Sequence, residues 1–318
     1  MVDPSSREPV VVTGGAGAIG SFLVRSLQAS GAPVTVVDNL SSGRREFLEP
    51  LLSEGSVKLV VADVRVRERY ESTLRGASAL WHLAANPDIR LGTADPTIDL
   101  EQGTVATFHV LEAVRRADVP TVLFSSSSVV YGTPSVFPTP EEYGPLLPES
   151  LYGASKLAAE GLLSAYARLY GLRVYIFRFA NIIGPIMTHG VLFDFFRKLK
   201  SDPTTLEVLG DGRQAKSYLR AEECVEAMRF VALHAKEPVN VYNLGTRDRL
   251  SVREIAEKVV AANGGRARIV YTGGPRGWAG DIPQQLLSID KVESLGWHPR
   301  HTSAEAVDLC LREMTRGA

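Results

Sequence analysis

Short apolar runs alternate with longer amphipathic stretches through the first half of the chain. The runs "PVVVTG" (9–14), "PVTVVD" (33–38), "VKLVVAD" (57–63), "ALWHLAA" (79–85), "TVLFSS" (121–126) and "LRVYIFR" (172–178) are rich in β-branched residues and nearly free of polar ones. A strand buried on both faces reads this way, whereas a strand with one wet face alternates. Between the runs, apolar positions recur with a helical period near 18–30, 65–75, 103–117 and 152–170. Strand–helix alternation of this kind predicts right-handed crossovers and an α/β fold built on a doubly wound parallel sheet.

The rhythm changes after about residue 185. Helical patterns at 191–200, 221–235, 251–263 and 303–315 are separated by Gly- and Pro-rich turns such as "LGDGRQ" and "YTGGPRGWAG". One further apolar run, "VNVYNLG" (239–245), is expected to rejoin the main sheet. The predicted organisation is a first domain over 1–180, rejoined by that strand, and a smaller, partly interleaved α/β lobe over 181–318.

Composition narrows the classes of function. The chain has 318 residues, 45% of them hydrophobic and 22% charged, which is ordinary globular usage. A formal net charge of −1, with Lys and Arg spread along the chain, argues against a dedicated nucleic-acid or membrane-surface binder. No apolar run approaches the ~20 residues of a membrane span. Cys224 and Cys310 stand far apart, which suggests a reduced protein and no disulfide framework. The polar start "MVDPSSREP" has no signal-peptide layout. The expectation is a soluble cytoplasmic protein.

Candidate chemistry begins at "VVVTGGAGAIGS", where Gly14, Gly17 and Gly20 follow the first strand and open a helix. Missing side chains permit a tight turn and close approach of a pyrophosphate to the helix N-terminus. Gly15 and Gly20 also have the spacing of a nucleoside-triphosphate loop, but Ser21 follows where such a loop needs lysine. Asp38 ends the second strand, where a carboxylate accepts both ribose hydroxyls and repels a 2′-phosphate. A Rossmann-type domain that binds NAD is the consequence, with Arg44 and Arg45 keeping a weaker case for NADP. Asp63 closes the third strand at the same edge of the sheet.

Two further stretches carry reactive groups. "LFSSSSVVYG" brings serines off the end of the fifth strand, and carboxyl ends of such strands face the ligand crevice. "SLYGASKLAAE" sets Tyr152 one helical turn before Lys156, so phenol and ammonium share a face. A phenol ionises at about 10, and a nearby cation lowers that value. On spacing alone the pair is either a tuned base or an aromatic and a lysine sharing a helix surface. The scattered His82, His109, His234, His298 and His301 make no HExxH, no CxxC accompanies them, and no metal site is proposed.

Taken together, TGGAGAIG, Asp38, SSSSVVYG and YGASK resemble the extended short-chain dehydrogenase/reductase group, and within it the NAD-dependent sugar epimerase/dehydratase family. The resemblance runs nearly end to end. It implies Tyr152 as catalytic base, Lys156 as the residue that holds the nicotinamide ribose and lowers the phenol's pKa, and Ser127 as the active serine, four residues before Tyr131. Around NAD it implies Gly14, Gly17, Ala18, Ile19 and Gly20 in the loop, with Asp38, Asn39, Ser42 and Gly43 about the adenosine. It adds Asp63, Val64, Leu83, Ala84, Ala85, Ser125 and Phe179 along the rest of the cofactor.

For the substrate it implies Ser127 and Ser128, Asn181 in "RFANIIGP", and Val191. Lys216 and Tyr218 follow in "GDGRQAKSY", where Lys216 replaces the usual arginine, and Arg276 and Asp281 in "PRGWAGD". Dehydratases of the family place an acidic pair where this chain has Ser127 and Ser128, so the resemblance is nearest to UDP-sugar 4-epimerases of the UDP-glucose/UDP-galactose type. Hydride would pass to tightly held NAD and return through a 4-keto intermediate. The competing substrate is UDP-glucuronate, with Arg90, Thr188 and His189 as donors to its carboxylate. An N-acetylhexosamine is next, because Gln285 stands where relatives carry a gating tyrosine. The family's paired asparagines align with Gln102 and Gly103, leaving Gln102 or Thr104 as substitutes. Relatives pair as homodimers through helices that match 103–117 and 152–170. The rivals are a NAD-binding regulatory protein without turnover, and a net dehydrogenase that accumulates NADH.

Overall fold

The computed structural model describes residues 8–316; the polar stretch 1–7 and residues 317–318 lie outside the described residues. In chain order the first part comprises β1 (Val10–Thr13), α1 (Ala18–Ala29), β2 (Val34–Asp38), β3 (Val57–Val61), β4 (Ala79–His82), two short helices α2 (Leu91–Ala94) and α3 (Thr97–Asp99), a π-helical turn Leu100–Val105, α4 (Ala106–Arg116), β5 (Thr121–Ser127), α5 (Leu151–Tyr170) and β6 (Arg173–Phe179). The rest comprises β7 (Asn181–Ile183), α6 (Val191–Ser201), β8 (Thr205–Val208), β9 (Ala215–Lys216), β10 (Tyr218–Arg220), α7 (Ala221–His234), β11 (Val239–Leu244), β12 (Leu250–Ser251), α8 (Val252–Ala262), β13 (Arg268–Tyr271), α9 (Asp290–Ser294) and α10 (Ser303–Arg316).

Seven strands form one parallel sheet in the order β11-β6-β5-β4-β1-β2-β3. The unbroken apolar runs are explained by burial on both faces. Val10, Val12, Trp81, Leu123, Tyr175 and Phe177 join the core under α1 and α7, while Val11, Leu80, Val122, Phe124, Val174 and Ile176 join the core under α4 and α5. The strand order reverses between β1 and β4, which opens a crevice at the carboxyl ends of the strands. β11 lies at the sheet edge beside β6.

The second lobe has its own core, in which Leu192 and Phe195 of α6, Leu206 and Val208 of β8, Ile255 and Val259 of α8 and Val307 of α10 meet. Three two-stranded pieces accompany it, β10 with β7, β12 with β9 and β13 with β8. Among the described residues no helix is long and apolar enough to cross a membrane. Cys224 and Cys310 are both free and buried.

One expected helix is absent. Residues 65–75 form two 3-10 turns, Arg67–Arg69 and Glu71–Leu74. Only Tyr70 and Leu74 of this charged stretch are buried, too narrow a stripe to hold a helix against the sheet. The Tyr70 hydroxyl also donates to Val64 O at 2.9 Å, the carbonyl that an α-helix would offer to the amide of residue 68. The helix expected over 103–117 instead begins at α3 and passes through the π turn into α4.

Helix α5 is specified locally at both ends. The Ser150 side chain accepts from Gly153 N at 3.0 Å, satisfying an orphan amide of the first turn. Gly171 ends it in the left-handed conformation, φ 70°, which glycine adopts without strain. These caps fix where α5 starts, and hence where Tyr152 and Lys156 meet the crevice.

Candidate active site

The loop after β1 turns so tightly that it excludes side chains. A Cβ on Gly20 would stand 2.1 Å from Gly14 O, and one on Gly14 would stand 2.6 Å from Ala84 N. Asp38 ends β2 with its carboxylate held by backbone amides, Oδ2 accepting from Ala16 N at 3.0 Å and Oδ1 from Leu40 N at 2.9 Å. Burial raises the Asp38 carboxyl above its usual range, and those two amides pull it back. Arg44 lies over the Phe47 ring at 5.9 Å and Arg45 faces Glu49 at 3.8 Å, and neither lines the crevice. A loop without side chains and a fixed carboxylate beyond it fit a dinucleotide whose ribose carries no phosphate.

One cleft runs from this loop to α5. The residues that the resemblance assigns to the cofactor all line it, from Ile19 and Asn39 at one end, past Asp63 and Ala85, to Ser125 and Phe179 at the other. Tyr152 and Lys156 line the same end, together with Thr188 and His189, which are 3.2 Å apart. Of the two residues offered in place of the family asparagines, Gln102 lines the cleft and Thr104 does not. Gly103 is a packing residue: a Cβ there would stand 2.3 Å from Ser155 Oγ, so the π turn presses directly on α5.

Lys156 Nζ donates to Ser125 O at 2.7 Å and lies 4.7 Å from the Phe124 ring centre and 5.6 Å from that of Tyr152. The side chain is 3% exposed. Burial pushes its pKa down to about 7, against the opposing pull of Glu160 and Asp99. Burial moves the Tyr152 hydroxyl above its ordinary value, and the Asp99 carboxylate moves it further the same way. The expectation that Lys156 lowers the phenol's pKa concerns the protein with NAD bound, whose positive charge adds to that of Lys156. In the protein alone, low dielectric around the hydroxyl disfavours the phenolate.

The four serines have different employment. Ser125 donates to His82 O at 3.3 Å, and Ser126 donates to Glu160 Oε1 at 2.5 Å. Ser128 is buried and accepts from the Gln285 amide. Ser127 is partly exposed at the end of β5, where its Oγ accepts from Val129 N at 3.4 Å. Beneath them Glu160 pairs with Arg178 at 2.7 Å, Arg178 Nη1 donates to Tyr131 Oη at 2.9 Å, and Tyr131 donates to Asn243 Oδ1 at 2.8 Å. This buried chain ties the serine turn to α5, β6 and β11.

The residues assigned to substrate gather next to that turn, already partnered. Asn181 Nδ2 donates to Ser217 O at 3.3 Å and to Gln285 Oε1 at 3.2 Å, so Gln285 bridges Asn181 and Ser128. Lys216 Nζ meets Asp281 Oδ1 at 2.7 Å, and Asp281 Oδ2 accepts from Gly277 N at 3.1 Å. Arg276 Nη1 meets Glu149 Oε2 at 2.6 Å. Tyr218 stands in register with Asn181 but is buried in the core of the second lobe, where burial raises its hydroxyl. Val191 packs against that same core.

Arg90 is already paired. Its Nε and Nη2 each bind Asp88 at 3.0 Å, and its Nη1 binds Asp194 at 3.2 Å. A guanidinium held by two carboxylates is a clasp between the loop after β4 and α6. Two polar residues of the site carry no sequence signal of their own, Asn86 on the cleft wall and the buried Asp99 to which it donates at 3.0 Å. Among the described residues no cluster of three or more His, Cys, Asp or Glu side chains is placed to hold a metal.

Comparison with known proteins adds an independent line. The profile of the NAD dependent epimerase/dehydratase family matches residues 10–245. The UDP-glucose 4-epimerase of Mycolicibacterium smegmatis is 33% identical over 312 residues, covering 93% of this chain and 95% of its own. A crystal structure of a UDP-galactose 4-epimerase superposes with a TM-score of 0.88 at 41% identity, covering 97% of this chain and 99% of its own. The structure of MoeE5 in complex with UDP-glucuronic acid and NAD superposes with a TM-score of 0.85 at 29% identity, covering 98% and 100%.

Proposed function

The chain belongs to the NAD-dependent epimerase/dehydratase family, and on that premise we propose that it is a UDP-sugar 4-epimerase of the UDP-glucose/UDP-galactose type. The observation that carries this reading is the placement of Tyr152 and Lys156 at the end of the cofactor cleft, beside a serine turn with no carboxyl side chain at 127 and 128. Such a site moves one proton and has no second acid for elimination.

NAD, when bound, supplies the acceptor for hydride from C4 and the donor that returns it. Gly14, Gly17 and Gly20 admit its diphosphate, Asp38 accepts from the adenosine ribose, and Lys156 holds the nicotinamide ribose. Tyr152 removes the proton of the sugar 4-hydroxyl and gives it back, while Ser127 donates to the same oxygen. Lys216 and Arg276 exchange their carboxylate partners for the substrate diphosphate, and Asn181 donates to it. A lysine at 216 gives charge without the bidentate fork of an arginine.

A neutral hexose is favoured by the likeness to UDP-glucose and UDP-galactose 4-epimerases over nearly the whole chain. Glucuronate is the second reading, supported by Thr188 and His189 on the cleft wall and by the UDP-glucuronic acid complex of a similar fold. Gln285 in place of a gating tyrosine is the feature that would admit an N-acetyl group. Two copies pairing through α4 and α5 accord with the exposure of Phe108 and Leu169, and the reduced cysteines accord with a cytoplasmic setting.

The test is purified protein with UDP-galactose and, separately, UDP-glucuronate, without added NAD, followed by anion-exchange chromatography. Interconversion at C4 of UDP-galactose is expected. Turnover of UDP-glucuronate alone would move the assignment to the second reading, and NADH accumulation would replace epimerisation with net oxidation.

A further inference from the structure

Asp99 closes α3 and is 1% exposed. Its Oδ1 accepts from Asn86 Nδ2 at 3.0 Å, and its Oδ2 has no hydrogen-bond partner. A buried carboxylate oxygen without a partner carries a desolvation penalty, and such features concentrate where function demands them. Packing enforces this one. A Cβ on Gly92 would stand 2.0 Å from Oδ2 and 3.7 Å from Leu151 Cβ, so Gly92 has the bare oxygen on one side and the first residue of α5, next to Tyr152, close by. Gly103, four residues on, presses on Ser155, next to Lys156. The carboxylate thus sits beside the turn of α5 that carries both reactive side chains.

The ionisable groups around this turn are Glu160, His82, Asp99 and, on the cleft wall, His189, whose pKa burial lowers. Glu160, on α5 itself, is occupied by Arg178 and Ser126. His82, from β4, lies between Thr13 and Thr107, and burial keeps it neutral by lowering its pKa to about 3. Asp99 acts on Tyr152 and Lys156 alike, raising the affinity of each for its proton. Burial raises its own pKa, and the Asn86 hydrogen bond and the Lys156 charge pull it back toward the carboxylate.

We propose that Asp99 is a positioning residue for Tyr152: its carboxylate, fixed by Asn86, is the counter-charge to the Lys156 ammonium beneath the phenol. The inference rests on the reading of Tyr152 as the base. As NAD brings a cationic ring to the same end of the cleft, an anion beside this turn of α5 keeps the charges balanced. Tyr152 then remains able to return the proton it takes.

The test is Asp99→Asn, which keeps size and removes charge. Loss of the anion relieves the phenolate of repulsion and deprives the ammonium of a partner, so both groups release protons more readily. Both limbs of the kcat/KM pH profile are expected to move to lower pH, by a threefold or larger change in proton concentration. The near-ultraviolet phenolate absorbance of the NAD-loaded protein, taken as the difference from Tyr152→Phe, is expected to appear at correspondingly lower pH. A profile and a phenolate titration that stay in place, or move up, overturn the inference. Should Asp99→Asn fail to fold, Asp99→Ser carries the same expectation, and failure of both to fold overturns it in favour of a packing role. Turnover by Tyr152→Phe would instead remove the proposed function itself; an inactive Tyr152→Phe with an unmoved Asp99→Asn profile removes this inference alone.

Discussion

The cofactor side and the substrate side of the cleft are built by opposite means. Around the first, backbone does the recognising: glycines at 14 and 20 leave room, and Asp38 is pinned by the amides of Ala16 and Leu40. Around the second, side chains face one another in closed pairs, Lys216 with Asp281 at 2.7 Å and Arg276 with Glu149 at 2.6 Å. An anionic ligand enters the first region without displacing anything charged, whereas in the second it must compete with internal carboxylates. A preformed site suits a cofactor that stays through many turnovers; exchangeable pairs suit a substrate that comes and goes.

Adding one methyl group to the rigid side is the most severe way to break this contrast. In Gly20→Ala the new carbon meets backbone at 2.1 and 2.8 Å, atoms that cannot swing away. Overpacking of this kind costs about 1–3 kcal/mol, enough to lower NAD retention about fivefold or more. Nucleotide released on denaturing the purified variant measures it, and full retention would show the loop to be pliable.

The cofactor side also carries a hidden sensitivity to acid. His82 is neutral in the folded protein, its pKa lowered to about 3 by burial and by Lys156, against about 6.5 in an unfolded chain. Between those values the unfolded state binds one proton more, so stability falls as pH falls, by at most about 1.4 kcal/mol per unit. His82→Gln removes this contribution. Urea melts between about pH 6 and 4 should show a shallower loss for the variant, and equal slopes would contradict the assignment.

On the exchangeable side the effects are smaller and confined to substrate. Lys216→Ala is expected to raise KM for the UDP-sugar about tenfold, or about 1.4 kcal/mol, with kcat less affected and NAD content unchanged. Loss of NAD in that variant would erase the distinction between the regions. Arg90→Ala should change least. Its ion pairs with Asp88 and Asp194 are solvent-accessible and contribute about 0–1 kcal/mol, so turnover of UDP-galactose stays within about twofold.

The same contrast governs what could be read from the chain. The sheet was legible because burial on both faces leaves continuous β-branched runs, and the glycine loop because its spacing is itself the geometry. The stretch 65–75 looked helical because charge and period mimic a surface helix; only tertiary structure shows how narrow its buried stripe is. Arg90 looked available because its partner Asp194 is 104 residues away. Asn86 and Asp99 gave no signal at all, since their pairing depends on α2 and the π turn packing closely at Gly92 and Gly103. Residues that act through backbone leave a pattern in sequence, and residues that act through distant side chains do not.

A 4-epimerase of the proposed kind would pass hydride from C4 to NAD and back to C4 within one closed site. This is tested most directly with UDP-galactose bearing deuterium at C4, incubated with the purified protein in ordinary water without added NAD. The expected product is UDP-glucose with the deuterium still on C4, and none is expected from Tyr152→Phe. Product that has lost the label to solvent, or unchanged turnover by the phenylalanine variant, would contradict it.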